Sequence, residues 1–486
     1  MKNSYSIFYI FIFGLFLLGC SRDTIESESQ STLNSAPQKV TVIIDNIQSN
    51  SANISWSKAQ DADNDSILYD IVLNNVIVLK DSKKLLFKLD NLLELTEYNG
   101  KIIAKDTHNN YSETSFNFKT LKYYLKYEKH IYFSLDPNYF SGLVPKEIIK
   151  LSDGYLIGGY TGKTNGAIFF ALKIDFNGNV IWKKIYENQC FKIEEFKMKK
   201  TNNEEVLILG DNFLFKIDRN GNQIWNKKFQ EYQNLIGQIT SFDIDSDNSI
   251  YLVGYRKNTQ NNDQIGYLSK LNSEGNLIWE KNYYDSLHYD YFNDIIIDNN
   301  KILIFGKIET DKNGFENFYF IKSNKNGDKE TTKTFDNNCG GAYSKGIFKR
   351  NNGNYILYGF NQCASYKTIL REINSNGDLI IQKEYEIGGI NTLKESSDNK
   401  LVMLGYANSS SSYNSRMFFL ATQPNGETIW YKDIYEMGNY YYGEDVIPTE
   451  DGGFLFLTRH SKNYVTNPED NGEIIIYKTD PEGNYK

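Results

Sequence analysis

The sequence predicts an all-β chain, a small β-sandwich followed by a seven-bladed β-propeller closed by an N-terminal strand. Three observations predict it. One hairpin recurs seven times, with turn glycines Gly178, Gly221, Gly275, Gly327, Gly377, Gly426 and Gly483 spaced 43 to 57 residues apart. That period marks a propeller or solenoid rather than one ordinary core. A spare copy of the repeat's last strand stands ahead of the array. The chain is also rich in strand-forming aromatics, including 37 Tyr and 30 Phe among 486 residues.

The repeat is defined by side chains as well as glycine. Four residues beyond the turn glycine stand Trp182, Trp225, Trp279 and Trp430. Six beyond it stand Lys184, Lys227, Lys281, Lys333, Lys383 and Lys432. Five before it stand Lys173, Lys216, Lys270, Lys322 and Lys478, and three before it Asp175, Asp218, Asn272, Asn324, Asn374 and Asp480. A polar residue leading to Gly suits a short hairpin loop, where Gly accepts the positive φ that other residues resist. Trp and Lys two residues apart share one face of a strand.

The last copy reaches only three residues past Gly483. The missing strand is supplied by Tyr127-Glu128-Lys129-His130-Ile131-Tyr132, which matches Trp279-Glu280-Lys281-Asn282-Tyr283-Tyr284. A ring in which the first strand completes the last blade hides the edges that invite aggregation.

In chain order, residues 1–20 form a targeting segment. Lys2 precedes the apolar run Ile7–Leu18, which is short for a bilayer span and ends in Leu17-Leu18-Gly19-Cys20. These residues resemble the lipobox of bacterial lipoproteins, which implies a signal peptide cleaved before Cys20 and a lipid on its thiol. Residues 21–36 are polar and without periodicity, a flexible acidic linker. Asp23, Glu26 and Glu28 behind Cys20 resemble the acidic signals of some surface-exposed lipoproteins; a solvated linker explains them equally.

Residues 37–120 carry short alternating strands between turn signals. Ile54-Ser55-Trp56, Tyr69–Leu73, Leu92 to Tyr98, Ile102–Asp106 and Phe116–Thr120 follow in order, without a cysteine pair. This spacing resembles a fibronectin type III domain. The resemblance makes Trp56 the core tryptophan, puts Tyr98 at the tyrosine corner and implies a spacer or contact module. Asp61, Asp63 and Asp65, with Asn64, offer oxygen donors of the kind calcium takes, but Asp and Asn also make turns and no distal Glu follows. No cofactor is expected beyond that calcium candidate.

Residues 123–486 form the propeller. Each unit adds an earlier hairpin, as in Asp153–Tyr160, Ile250–Tyr255 and Leu401–Tyr406. The turns between strands one and two and between three and four are short. The links from two to three and between blades vary, and all emerge on one face. Loops on a rigid scaffold are where sites are built, so this face is the candidate for recognition. The text K-x-D-x-N-G-x-x-I-W resembles the tryptophan repeats of quinoprotein-like propellers. The resemblance covers the whole region and implies the fold; no quinone or metal site carries over, and fold alone gives no activity.

Charged residues are 23% and the net charge is −8, which disfavours nucleic acid as a partner. Cys339 and Cys363 fall on the variable face, where a disulfide is reasonable in an oxidising envelope, and Cys190 has no evident partner. No cysteine pair has metal-ligand spacing, and none of His108, His130, His288 and His460 stands in a zinc or triad signature. His288, in a polar aromatic link, could act as a base with a Tyr, or simply lie in a surface loop. Glu147, Asp294 and Asp445 occupy similar places on innermost strands. They could hold a cation or a cationic ligand at the channel, or hydrogen-bond loop backbones. Tyr440, Tyr441 and Tyr442, with Tyr283, Tyr284, Tyr289 and Tyr291, form the candidate ligand-binding aromatics for a glycan or protein.

These features describe a lipid-anchored protein of the outer membrane, at the cell surface, whose propeller binds a protein or polysaccharide without catalysis. The competing expectation is a polysaccharide lyase or glycoside hydrolase on the same scaffold.

Overall fold

The computed structural model describes residues 34–132, 142–163, 166–190, 195–210, 212–229, 235–258, 264–283, 289–309, 316–336, 341–362, 366–407, 416–436, 439–462 and 473–486. The leader with Cys20 lies outside these residues, as do most of the acidic linker, His288, Tyr284, Cys339 and Cys363. The chain divides into two compact units, Met1–Tyr123 and Tyr124–Lys486. Among the described residues no helix is long and apolar enough to cross a membrane.

In the first unit, Val42–Asp45, Ala52–Trp56 and Leu86–Leu89 form a three-stranded sheet. A four-stranded sheet runs in the order Val76–Ser82, Leu68–Leu73, Glu97–Lys105, Tyr111–Lys119. Alternation places Ala52, Ile54 and Trp56 on the buried face of their strand, and they meet Tyr69, Ile71, Ile102 and Ala104 in one core. Trp56 packs edge-on against Tyr69 at 5.7 Å. Tyr98 stacks on Phe118, and its hydroxyl accepts a hydrogen bond from the Leu93 amide at 2.8 Å.

The second unit is propeller-like, with seven four-stranded antiparallel sheets, called I to VII here in chain order. Their first strands are Val144–Leu151, Phe196–Lys200, Leu235–Ile244, Tyr289–Asp298, Ala342–Lys349, Gly388–Glu395 and Asn439–Pro448. Each first strand touches the next, and that of sheet VII touches that of sheet I, so the array returns on itself. An apolar layer fills every gap between neighbours, including the gap between VII and I, where Leu455, Leu457, Ile474 and Ile476 meet Ile148, Tyr155, Ile157 and Phe170. The outermost strand of sheet VII is Tyr127–Ile131, antiparallel to Glu473–Thr479 with Tyr127 opposite Lys478.

The repeated residues have one physical job each. In the turn of sheet I, Asp175 Oδ1 accepts the amides of Asn177 and Asn179, and the Gly178 amide closes the turn on the Asp175 carbonyl at 3.1 Å. All seven turn glycines have φ between +75° and +83°, the left-handed region that favours Gly. The Trp on strand four lies against the turn glycine of the following sheet: Trp182 at Gly221, Trp225 at Gly275, Trp279 at Gly327, Trp430 at Gly483. Tyr127 makes the same contact with Gly178. The strand-four lysines cross the same seam, Lys184 to Asn222 at 2.7 Å and Lys333 to Asp378 at 2.8 Å.

Candidate functional site: the central cavity and its aromatic border

The first strands carry a second repeated device. In six of the seven sheets the first strand slips register by one residue against the second. The residue left unpaired is Lys146, Thr240, Asn293, Lys345, Asn391 or Glu444. A β-bulge of this kind re-aims one side chain. Facing most of the bulges is a second-strand glycine. A Cβ at Gly159, Gly254, Gly306, Gly359 or Gly405 would lie within 2.2 Å of a first-strand carbonyl oxygen, so only Gly lets the bulged backbone approach.

Five of those bulge residues, with Glu195 just before the first strand of sheet II, line a cavity of about 300 Å³. Its wall carries five lysines, Lys146, Lys197, Lys307, Lys345 and Lys394, and four carboxylates, Glu147, Glu195, Glu444 and Asp445. Lys146 pairs with Glu444 at 3.0 Å, Lys197 with Glu147 at 3.6 Å and Lys394 with Asp445 at 3.9 Å. Lys307 pairs with Glu316 at 2.5 Å. Burial works against the charge of Lys197, yet Asp294 and Glu147 hold its pKa above the usual range. Burial pushes the Glu147 and Glu195 carboxyls up and the Lys345 amine down.

An aromatic run borders this cavity. Tyr255 and Tyr291 lie 4.9 Å apart. Lys307 reaches over the rings of Tyr291 at 4.6 Å and Tyr343 at 5.7 Å. Tyr343 stacks on Phe360 at 4.7 Å and 11°. Phe360 meets Tyr366 at 5.6 Å, and Tyr366 meets Tyr406 at 6.0 Å. These residues stand near the link ends of strands one, two and three in sheets III to VI. Tyr343 is 40% exposed, and with Lys307 it belongs to both the run and the cavity wall. A flat exposed ring beside paired charges and amides is a surface for polar ligands with apolar faces.

The three channel carboxylates are brought to one ring, but each is engaged with a neighbouring sheet. Glu147 Oε2 accepts the Met198 amide of sheet II. Asp294 takes the Ser241 hydroxyl of sheet III at 2.6 Å and the Ile347 amide of sheet V at 3.0 Å. Asp445 takes the Thr392 hydroxyl of sheet VI at 2.9 Å and the Ile148 amide of sheet I at 3.1 Å. Their partners are strand amides and hydroxyls rather than loop backbones. Buried strand amides without a mate in their own sheet need such acceptors.

The tyrosines do not assemble as one exposed cluster. Tyr283 is 5% exposed, and its hydroxyl donates to the Gly327 carbonyl of the next sheet at 2.7 Å. Tyr186 and Tyr385 do the same to Gly221 and Gly426, so Tyr283 is part of the seam. Tyr441 is 8% exposed, stacked on His460 and bonded to Glu436. Tyr442 lies under Arg459. Among the described candidates, Tyr291 alone joins the aromatic run. Tyr284 and the side chain of Tyr289 lie outside the described residues. His130 pairs with Glu473 at 2.5 Å and Glu128 at 3.2 Å within the closing sheet.

The Asp61–Asp65 loop is a knot of internal hydrogen bonds. Asp61 Oδ1 accepts the amides of Asp63 and Asp65, Asp63 accepts the Ser35 amide, and Asp65 Oδ2 meets His108 Nδ1 at 2.9 Å. Asp65, Asp106 and His108 gather ligand atoms within 4.8 Å, but Asp106 already accepts four hydrogen bonds, from His108, Asn34 and twice from Asn110. Most of these oxygens are engaged within the loop, while Asp61 Oδ2 is buried without a hydrogen-bond partner.

Reading the sequence for acids and tyrosines missed Lys146, Glu195, Lys345, Glu444 and Tyr343. The second-strand glycines were the available signal, because each marks where the facing strand bulges.

No known protein family matches the chain, and no curated protein matches it. Solved structures do. An ulvan lyase, a polysaccharide lyase, aligns over 73% of this chain and 97% of its own at 10% identity and a TM-score of 0.44. The Dos1 propeller aligns over 73% and 95% at 9% identity and a TM-score of 0.41. A Bacteroides caccae protein of unknown function aligns over 58% and 94% at 12% identity and a TM-score of 0.37. What they share with this chain is a propeller-like all-β architecture.

Proposed function

We propose that this chain is a lipid-anchored protein of the outer membrane whose seven-bladed β-propeller binds polysaccharide at the link ends of its inner strands. The observation that carries the reading is the aromatic run from Tyr255 to Tyr406, continuous with a polar cavity through Tyr343 and Lys307. Sugar rings have apolar faces that stack on Tyr and Phe, and hydroxyls that need many donors and acceptors at once. The lysines, carboxylates and amides of the cavity wall supply those donors and acceptors.

Seven sheets in a closed order of first strands support the seven-bladed description. A three-plus-four strand order with buried Trp56 and a Tyr98 hydroxyl tied upstream supports a fibronectin type III-like unit, serving as a stalk. Leu17-Leu18-Gly19-Cys20 supports the anchor.

The test is retention of the purified full chain on a panel of immobilised polysaccharides, with released reducing ends and unsaturated sugars measured in parallel. Retention without product is expected. Product release would replace binding by cleavage, and no retention on any polysaccharide would leave a protein partner. Mass spectrometry of the Cys20 peptide from envelope-expressed protein should show a lipid on its thiol, and proteolysis of intact cells should remove a surface-facing head.

A further inference from the structure

Most charges on the cavity wall are matched. Lys146, Lys197, Lys307 and Lys394 each have a carboxylate within ion-pair distance, and Glu147, Glu444 and Asp445 each have a lysine. Two groups stand apart. Among the described residues no carboxylate lies within 4.0 Å of the Lys345 ammonium, and no cation lies that close to Glu195. Lys345 rests instead over the Phe360 ring at 5.7 Å.

Lys345 is the bulge residue of sheet V, while Glu195 directly precedes the first strand of sheet II, which carries no bulge; both line the cavity. Sheets II and V are separated by two sheets on one side and three on the other, which puts them on opposite walls. Each feels the other's charge, but neither reaches it. Half-buried charges left without partners are costly, and a ligand that supplies the partners recovers that cost.

We propose that the cavity selects a saccharide carrying both an ammonium and a carboxylate, the ammonium against Glu195 and the carboxylate against Lys345. An acidic glycan would satisfy Lys345 and bring like charge to Glu195. A basic one would do the reverse. A neutral one would desolvate both without matching either. Only a ligand with both signs, spanning the cavity, completes the wall. A volume of about 300 Å³ is at the low end of small-molecule sites, so recognition covers a short stretch of the polymer while the aromatic run takes its continuation. This inference rests on the polysaccharide reading above.

The test uses the full chain and one backbone in three forms: N-deacetylated heparosan oligosaccharides, the N-acetylated parent without the ammonium, and the carboxyl-reduced form without the carboxylate. Calorimetry should show the first bound at least about tenfold more tightly than either control, a difference that shrinks as salt is raised. Glu195→Gln should erase the preference over the acetylated form only, and Lys345→Met the preference over the reduced form only. The double exchange E195K/K345E should restore the preference, because the ligand can bind reversed. Urea midpoints confirm that each variant is folded, with Lys345→Gln as the alternative if Lys345→Met is not. Equal binding of all three forms, unchanged in the variants, overturns the charge inference and leaves polysaccharide binding standing. No binding of these or of neutral glycans overturns both.

Discussion

The hairpin turns, in all seven sheets, and the inner bulges, in six of them, are both repeated devices, yet they differ in what repeats. At the turns, the same side chains return: Asp or Asn folds over the turn, Gly takes positive φ, and Trp, Tyr and Lys from the preceding sheet close on it. At the bulges only the backbone returns. The side chain delivered is Lys146, Thr240, Asn293, Lys345, Asn391 or Glu444. A stability task has one good solution, so it is written the same way each time. A recognition task needs varied answers from one backbone position, and the six bulges provide that position with Lys, Thr, Asn or Glu.

The sharpest way to break this contrast is to remove a turn-region contact that is not repeated. Arg350, in the turn between the first two strands of sheet V, is 4% exposed. It pairs with Glu372 at 2.5 Å and with Glu395 of sheet VI at 2.8 Å. Removing the guanidinium leaves two buried carboxylates without their shared cation. Arg350→Met should cost about 3–5 kcal/mol in urea unfolding. A loss under about 1 kcal/mol would mean that these seams are interchangeable and that the repeated contacts alone hold the ring.

Sheet VII tests the same contrast by pH. Burial raises the Glu473 pKa, but hydrogen bonds from Tyr132, His460 and His130 outweigh it and the value falls below the ordinary one. A depressed carboxyl contributes stability above its unfolded pKa and loses it as pH falls through the folded value. Glu473→Gln should therefore destabilise by about 1.5–3 kcal/mol at pH 7 and at pH 5, with the difference narrowing below about pH 4. A difference constant down to pH 3 would show that its charge does not hold the closing strand.

The same contrast explains what was legible in the sequence. The turns were legible because their side chains recur: seven glycines, four tryptophans and six lysines define the hairpins, and Tyr127–Tyr132 showed where the last sheet finds its outer strand. The inner site was not, because bulges leave no recurring side chain. Lys345 and Glu195 look like any lysine and glutamate in a polar stretch; the register slip reveals the place of Lys345, and only the cavity reveals that of Glu195. Acids one residue beyond the bulge, such as Asp294 and Asp445, were noticed for their chemistry, but that chemistry is spent on amides and hydroxyls of neighbouring sheets. Tyr283 misled for the opposite reason. It lies beside Tyr284 and a tyrosine-rich link in sequence, while its true kin, Tyr186 and Tyr385, stand about a hundred residues away on either side.

Truncating a ring at the border of the cavity should touch binding and spare folding. Tyr343 is exposed and stacked on Phe360. Tyr343→Ala should weaken polysaccharide retention about tenfold, near 1.4 kcal/mol, with the urea midpoint almost unmoved. Unchanged retention would remove the aromatic run from the site.

Tyr283→Phe is the matched control, with the smallest expected effect. The substitution keeps the ring among Phe292, Trp279 and Tyr319 in the layer between sheets III and IV and deletes one hydroxyl. The Gly327 carbonyl then loses its side-chain donor. One buried hydrogen bond is worth about 1 kcal/mol, so the urea midpoint should fall slightly. Retention should not change, because the hydroxyl serves a turn and not the cavity. Tyr186→Phe and Tyr385→Phe should match it, since each serves the equivalent carbonyl. If Tyr283→Phe instead weakened retention while the other two did not, the seam beside sheet IV would be part of the recognition surface, and the division between uniform turns and variable bulges would fail at that sheet.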